Sequence, residues 1–468
     1  MHYPFWLVPG LTSPMLIAAV AVLHVFVSLY AVGGGIFLAV EVTRAYRAGD
    51  RDYLDYLKSH AKFFVLVTMI WGSITGVGIW WTIGLASPLA TEFLIRTFVF
   101  AWAMEYVFFL IEIVSAFVFW YGWGRLDPRR HLAALWVYAA AAWISLLIIT
   151  PITAFMLNPG DWRGEFWRGL ANPQALPQVA ARTGAALLLA TLYVYLHASL
   201  AAGEAVRALV VRRTGRLALA GAVLFVLGAG GWFAALPASA RAAAIGSPVL
   251  NIFGAVVAGC VSGVFLMVFV GLRREPKWLS PGFALLLWGM GLAAVGAGEF
   301  IREAIRKPYV VCGEVYSHGV LPGEIEGLRR KGFIAGSSWA RRGVYRADTD
   351  KRTPRVIRDL RASRARGRAL LFHHCGSCHS ETGYMGLDQL LRGWSGGVIS
   401  QLVRHPESFR FVMPPWSGTP AEAATLAEYL WGVVAEPSPA AAAGFESRAG
   451  VGGDRETFTP AAEGSRGR

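Results

Sequence analysis

Residues 13–42 read SPMLIAAVAVLHVFVSLYAVGGGIFLAVEV, a run with one histidine, His24, one late acid, Glu41, and few other polar groups. Such a run exceeds the roughly 20 apolar residues that a helix needs to cross a bilayer core. An ionisable group inside it is costly, so His24 is a functional candidate from the outset. The run lacks a basic leader and is followed by EVTRAYRAGDR instead of a small-residue cleavage site. It is therefore expected to remain as an anchor.

The pattern recurs along the chain. Apolar stretches lie at about 13–42, 61–86, 91–122, 131–157, 180–207, 214–236, 248–272 and 281–306. With 55% hydrophobic residues, 18 Trp and 27 Phe in 468, the chain lies outside the range of soluble globular proteins. The predicted fold class is all-α: a polytopic membrane bundle of eight transmembrane helices with a small all-α periplasmic domain after it. Membrane lipid is the surrounding medium.

Orientation follows from the basic residues. Loops after helices one, three, five and seven hold Arg44, Arg47, Arg51, Lys58, Lys62; Arg125, Arg129, Arg130; Arg207, Arg212, Arg213, Arg216; and Arg273, Arg274, Lys277. The alternate loops hold fewer, chiefly Arg96, Arg163, Arg168, Arg182 and Arg241. Since cytoplasmic loops are the basic ones, both termini are expected outside, in the periplasm of a bacterial inner membrane.

Near the C-terminal end stands HHCGSCH, residues 373–379. Its CxxCH core is a haem-attachment pattern: Cys375 and Cys378 would bond the porphyrin vinyls and His379 would ligate the iron from below. A zinc site would need a second ligand pair of this spacing, which the sequence lacks. In FRFVMPPWSG, residues 409–418, Met413 precedes two prolines that hold the chain extended, and it is the expected sixth ligand. His405, His374 and Met385 compete for that place. His373 and His374 are otherwise read as solvated residues of the first helix of this domain. The loop and the following TPAEAATLAEYLWGVV resemble the distal loop and final helix of small class I cytochromes c. Of the other cysteines, Cys260 lies in an apolar segment and Cys312 is expected as a free thiol, so no disulfide framework is indicated.

These readings divide the chain into a bundle (1–310), a basic connector (311–364), a monohaem cytochrome c domain (365–437) and a disordered tail (438–468). The connector includes RRKGFIAGSSWARRGVYRADTDKRTPRVIRDLRASRARGR and carries much of the net charge of +14. It is either a solvated linker or a patch for an acidic partner or anionic headgroups. Nucleic acid is not expected on that side of a membrane.

Four intramembrane groups stand out: His24, Glu105, Glu112 and His197. Glu105 and Glu112 are two helical turns apart and share a face. A carboxylate pair near a histidine could ligate a haem iron or carry protons to it, or each group could simply bond a neighbouring helix.

Several segments together resemble subunit I of the cytochrome bd-type quinol oxidases. These are LHVFVSLYAVGGGIFLAVEV (with His24), WGSITGVGIWW, AMEYVFFLIEIVSAFVFWYGWGRL (with Glu105 and Glu112) and AWISLLIITPITAFMLNPGDW. The resemblance covers roughly residues 15–170 and returns weakly at EFIREAIRKPYVV after helix eight. It implies that His24 ligates a high-spin haem, with Glu105 and Glu112 beside it as metal ligand or proton carriers. It also implies at least one non-covalent b- or d-type haem and a second membrane subunit. Arg302, Arg306 and Lys307 would clamp haem propionates or steer the cytochrome domain, or snorkel as helix-end charges.

The departures are specific. QVAARTGAA puts Arg182 where the family has a histidine ligand of its low-spin haem, and NIFGAVVAGCVSG offers no methionine at the other. The quinol-oxidising loop is reduced to ALPASARAAAIGSP, and no ninth helix follows. Quinol oxidation, the low-spin haem and the full three-haem set are thereby put in question. A fused cytochrome c would supply electrons in quinol's place.

The leading expectation is a respiratory redox subunit that moves electrons between an outer haem c and a membrane haem, where a small acceptor, foremost oxygen, is reduced. A periplasmic cytochrome or oxidoreductase would be its electron partner. The alternative is a non-catalytic relay or anchor of a larger complex. A sensor or transporter is least favoured, because no signalling motif or broken-helix substrate site is visible.

Overall fold

The computed structural model describes residues 10–337 and 363–435. Part of the basic connector (338–362) and the whole of the segment read as a disordered tail (438–468) lie outside the described residues. The chain divides into two compact units. One comprises Ala18–Trp80 and Phe93–Arg306, and the other the segments up to Ile17, Trp81–Glu92 and from Lys307 onward.

Eight helices are long and apolar enough to cross a membrane: Ser13–Ala48, Arg51–Ala86, Val99–Tyr121, Pro128–Phe155, Ala175–Ala201, Glu204–Ala234, Pro248–Leu272 and Pro281–Ala304. They are numbered one to eight. The all-α multi-pass fold expected from the sequence is what the structure contains.

Several boundaries differ from the expected ones, three of them instructively. Helix two begins ten residues earlier, at Arg51, where Asp50 caps it by accepting from the Tyr53 amide at 3.1 Å. The stretch expected as one helix over 91–122 is two, Pro88–Thr97 and Val99–Tyr121, broken at fully buried Phe98. Helix five ends at Ala201 and helix six starts at Glu204, so Arg207, Arg212, Arg213 and Arg216 ride on helix six. Arg213 lies 3.3 Å from Glu41, which is 2% exposed and also takes bonds from Arg44 and Tyr53. Partnered in this way, the lone acid of helix one is tolerated near the end of its span.

Helix five is the central one: 72% of its apolar window is buried, against 11–33% for the others. Glycines let its neighbours reach its backbone. A Cβ at Gly184 would overlap the backbone of Gly221 and Phe225, one at Gly228 that of Ala181, and one at Gly33 of helix one that of Ala186. The core around it is aromatic, with Tyr30 stacked on Tyr193 at 3.9 Å and Phe26 edge-on to Trp288 at 5.0 Å. Helix three instead turns Phe100, Tyr106, Val107, Val114 and Tyr121 outward, as a face against lipid does.

The other unit has its own core of Phe333, Leu370, Leu371, Ile399, Trp416, Leu426 and Leu430. A hairpin pairs Tyr309–Val311 with Val315–Tyr316. Helices Ser363–His374, Gly396–Arg404 and Pro420–Ala435 pack together. The last is started by a capping box in which Thr419 and Glu422 bond each other's amides at 3.1 and 2.9 Å. Glu422 also accepts the amides of Phe333 and Ile334, both at 2.8 Å, joining two segments far apart in sequence.

Candidate functional site

In the bundle, His24 faces helix two. Its Nδ1 lies 3.2 Å from Thr75 Oγ1, whose hydroxyl donates to the Trp71 carbonyl at 2.9 Å. That leaves the Thr75 oxygen to accept from His24 Nδ1–H. This arrangement suits the tautomer whose Nε2 carries the lone pair. Gly76 makes the approach possible: a Cβ there would stand 3.2 Å from His24 Cε1. Just before this point helix two widens into a π turn over Leu66–Trp71, a register shift common at functional sites.

On helix three, Glu105 accepts from the Ser145 hydroxyl of helix four at 2.9 Å. Glu112 is buried and lies against the same hydroxyl. The two carboxylates thus share one serine, as their common face predicts. No hydrogen bond or ion pair joins either of them to His24 among the described residues.

Arg182 is 3.9 Å from Glu299 of helix eight. Arg302 bonds the same carboxylate at 2.8 Å. Arg306 pairs with Glu303, and its Nη1 lies 3.5 Å from the Met156 sulfur. The arginines expected as propionate clamps or snorkelling charges, Arg302 and Arg306, therefore have carboxylate partners on helix eight, which ends two residues before Arg306.

His197 meets a partner that sequence reasoning passed over. Its ring is 5.0 Å from that of His60, which is fully buried and has its Nε2 3.3 Å from the Tyr30 hydroxyl. His60 had been masked by the basic residues around it, Lys58 and Lys62, which read as a loop. The signal was there in the apolar spacing of Tyr53, Tyr56, Leu57, His60, Ala61 and Phe64, all buried on one face.

In the other unit, helix Ser363–His374 ends in a tight turn where Cys378 and His379 donate their amides to the Cys375 carbonyl at 3.0 and 2.8 Å. Both thiols are unbridged. Burial pushes the Cys375 thiol up to about 12. The His379 Nδ1 lies 3.2 Å from the Met385 carbonyl, an acceptor, so Nδ1 is the protonated nitrogen and Nε2 carries the lone pair. Burial also lowers the pKa of His379, keeping it neutral as iron ligation needs. Met413 packs partly buried against the core, while the Met385 and His405 side chains are exposed.

His374 corrects an expectation. It is half-buried against Phe333 and Trp416 and hydrogen-bonded, with Nδ1 3.1 Å from the Leu370 carbonyl and Nε2 2.9 Å from Ser417 Oγ. Both ring nitrogens are engaged, so it has none to offer as an iron ligand. His373 packs its ring on Phe333 at 5.0 Å and is likewise desolvated.

Both candidate sites therefore fit haem. Each presents an imidazole oriented through Nδ1 with Nε2 held back, and the second adds two thiols at attachment spacing.

No curated protein matches the sequence. Among solved structures, a bd oxidase from Geobacillus thermodenitrificans is similar, with a TM-score of 0.56 and 16% identity over 64% of this chain and 88% of that one. At that identity the likeness carries the fold alone. Residues 13–239, which take in helices one to six, match the model of the family described as cytochrome bd terminal oxidase subunit I.

Proposed function

We propose that this chain is an oxidase-type respiratory subunit in which electrons pass between a covalent haem c and a non-covalent haem held by His24. A small acceptor, foremost oxygen, is reduced at the latter. The reading is supported by one observation above all: within the segment that matches the bd oxidase subunit I family, His24 Nδ1 stands 3.2 Å from Thr75 Oγ1, an arrangement that suits an imidazole whose Nε2 binds a metal.

When bound, haem supplies one-electron chemistry and an open position for a small ligand. The chain's own residues do the rest. His24 Nε2 would hold the iron and Thr75 the ring. Glu105 and Glu112 hold protons at their carboxylates, and Ser145 orients Glu105. The apolar faces of helices one to three exclude water. In the other unit, Cys375 and Cys378 would take the covalent bonds, and His379 and Met413 would ligate the iron. His/Met ligation raises the reduction potential, as suits a carrier of electrons. The orientation with both termini in the periplasm of a bacterial inner membrane belongs to the same proposal. So do a second membrane subunit and a periplasmic cytochrome or oxidoreductase as partner. Quinol is not assigned as donor, because Arg182 stands in an ion pair at the low-spin ligand position.

The test is the optical spectrum of the purified protein with and without carbon monoxide. A high-spin haem that binds carbon monoxide, present in the wild type and lost in His24→Ala with covalent haem unchanged, is the expected result. A spectrum with c-type haem alone removes the membrane haem and leaves the relay reading.

A further inference from the structure

The residue just before the first attachment cysteine is tied directly to the loop that carries Met413. His374 stacks on Trp416 with ring centroids 4.2 Å apart and an interplanar angle of 28°. Its Nδ1 faces the Leu370 carbonyl at 3.1 Å and must carry the proton, so its Nε2 accepts from the Ser417 hydroxyl at 2.9 Å. Ser417 is fully buried and Trp416 is 6% exposed. The far side of His374 is closed by Phe333, 4.4 Å away, and His318, 5.7 Å away. His318 itself sits at the Pro415 carbonyl, and Arg329 Nε bonds the Trp416 carbonyl at 3.0 Å. Met413-Pro414-Pro415-Trp416-Ser417 is thus pinned at its C-terminal end to the helix that runs into Cys375. The Phe411 and Val412 side chains before it stand exposed.

We propose that His374 is a positioning residue that sets where Met413 stands relative to the haem c iron, through Trp416 and Ser417. This rests on the haem c reading above. The two prolines transmit the placement, since they stiffen the three residues between the anchor and the thioether. Loss of the tie frees the methionine while leaving the attachment cysteines and His379 untouched.

The experiment uses the full-length protein in detergent. Ser417→Ala and His374→Phe (which keeps a ring on Trp416 but has no nitrogen) are compared with Met413→Ala and with Leu426→Ala, a core change in the same unit. Covalent haem per chain is measured by pyridine haemochrome. Methionine ligation is read from the far-red charge-transfer band of the ferric protein and from the affinity for added imidazole. With covalent haem unchanged, Ser417→Ala and His374→Phe should weaken the band and raise imidazole affinity about threefold to tenfold, the weight of one buried neutral hydrogen bond. Met413→Ala should abolish the band and Leu426→Ala should leave it. An unaltered band and affinity in both tie variants overturns the positioning role. Absence of covalent haem from the wild type overturns the haem c reading, and the role with it.

Discussion

Glu299 of helix eight stands 3.9 Å from Arg182 of helix five, and the same carboxylate holds Arg302 at 2.8 Å. One acid therefore serves two cations, and the partners are not equivalent. Glu299→Ala leaves two guanidiniums facing each other without an anion, which costs about 3–5 kcal/mol. Arg182→Ala leaves the Glu299–Arg302 pair intact and costs about 1 kcal/mol. Thermal unfolding in detergent should rank the variants in that order, and equal losses would contradict the shared-anion arrangement.

Thr75 is expected to matter nearly as much as the histidine it orients. Removing an outer-shell partner typically costs about tenfold to a hundredfold in metal affinity. Thr75→Val should therefore lower the content of non-covalent haem, while Thr75→Ser retains it. Pyridine haemochrome on extracted haem measures both. Full occupancy in Thr75→Val would show that the 3.2 Å contact does not hold the ring.

The two carboxylates on Ser145 lead to a graded effect on oxygen consumption. Glu105→Gln keeps the shape but removes the proton site, and a lost acid–base group costs about a hundredfold or more. Ser145→Ala removes only the bond that orients Glu105 and should cost about threefold to tenfold. An oxygen electrode with an artificial electron donor reads both, and unchanged turnover in Glu105→Gln would remove that residue from the proton path.

The unit outside the bundle should lose stability in acid. Burial lowers His318 from 6.5 to about 4 and His373 to about 3. The unfolded chain takes up these protons near pH 6.5 and the folded one only near 4 or below. The stability they allow is complete above 6.5 and falls as the pH drops through that window. At 1.36 kcal/mol per pH unit, His318 alone accounts for about 3 kcal/mol. Denaturant titrations followed by Soret absorbance at pH 7.5 and 4.5 should show the loss, and His318→Phe should flatten it. A pH-independent midpoint would count against neutral burial.

The eight spans were legible because hydropathy alone decides where a helix can cross a membrane, and His24, Glu105 and Glu112 stood out as candidates because each is costly there. What the sequence hid is contact. Thr75 is an ordinary residue for an apolar helix until a histidine lies opposite. Phe98 breaks a helix with no proline or glycine to announce it, because burial against Phe155 at 4.9 Å and Phe166 at 6.3 Å decides the chain path. Arg207 to Arg216 looked like a loop, yet helix six carries them because Arg213 finds Glu41. His374 looked like its neighbour His373, and only Ser417, far along the chain, makes it different.

The glycine seams that join helix five to helices one and six have a further meaning. Where backbones meet with no side chains between them, there is no lubricating layer for one rod to slide on another. Such a block suits the fixed spacing that the proposed passage of electrons between haems needs, better than the sliding of a rocking carrier of solutes. The frame keeps its distances because its parts already touch.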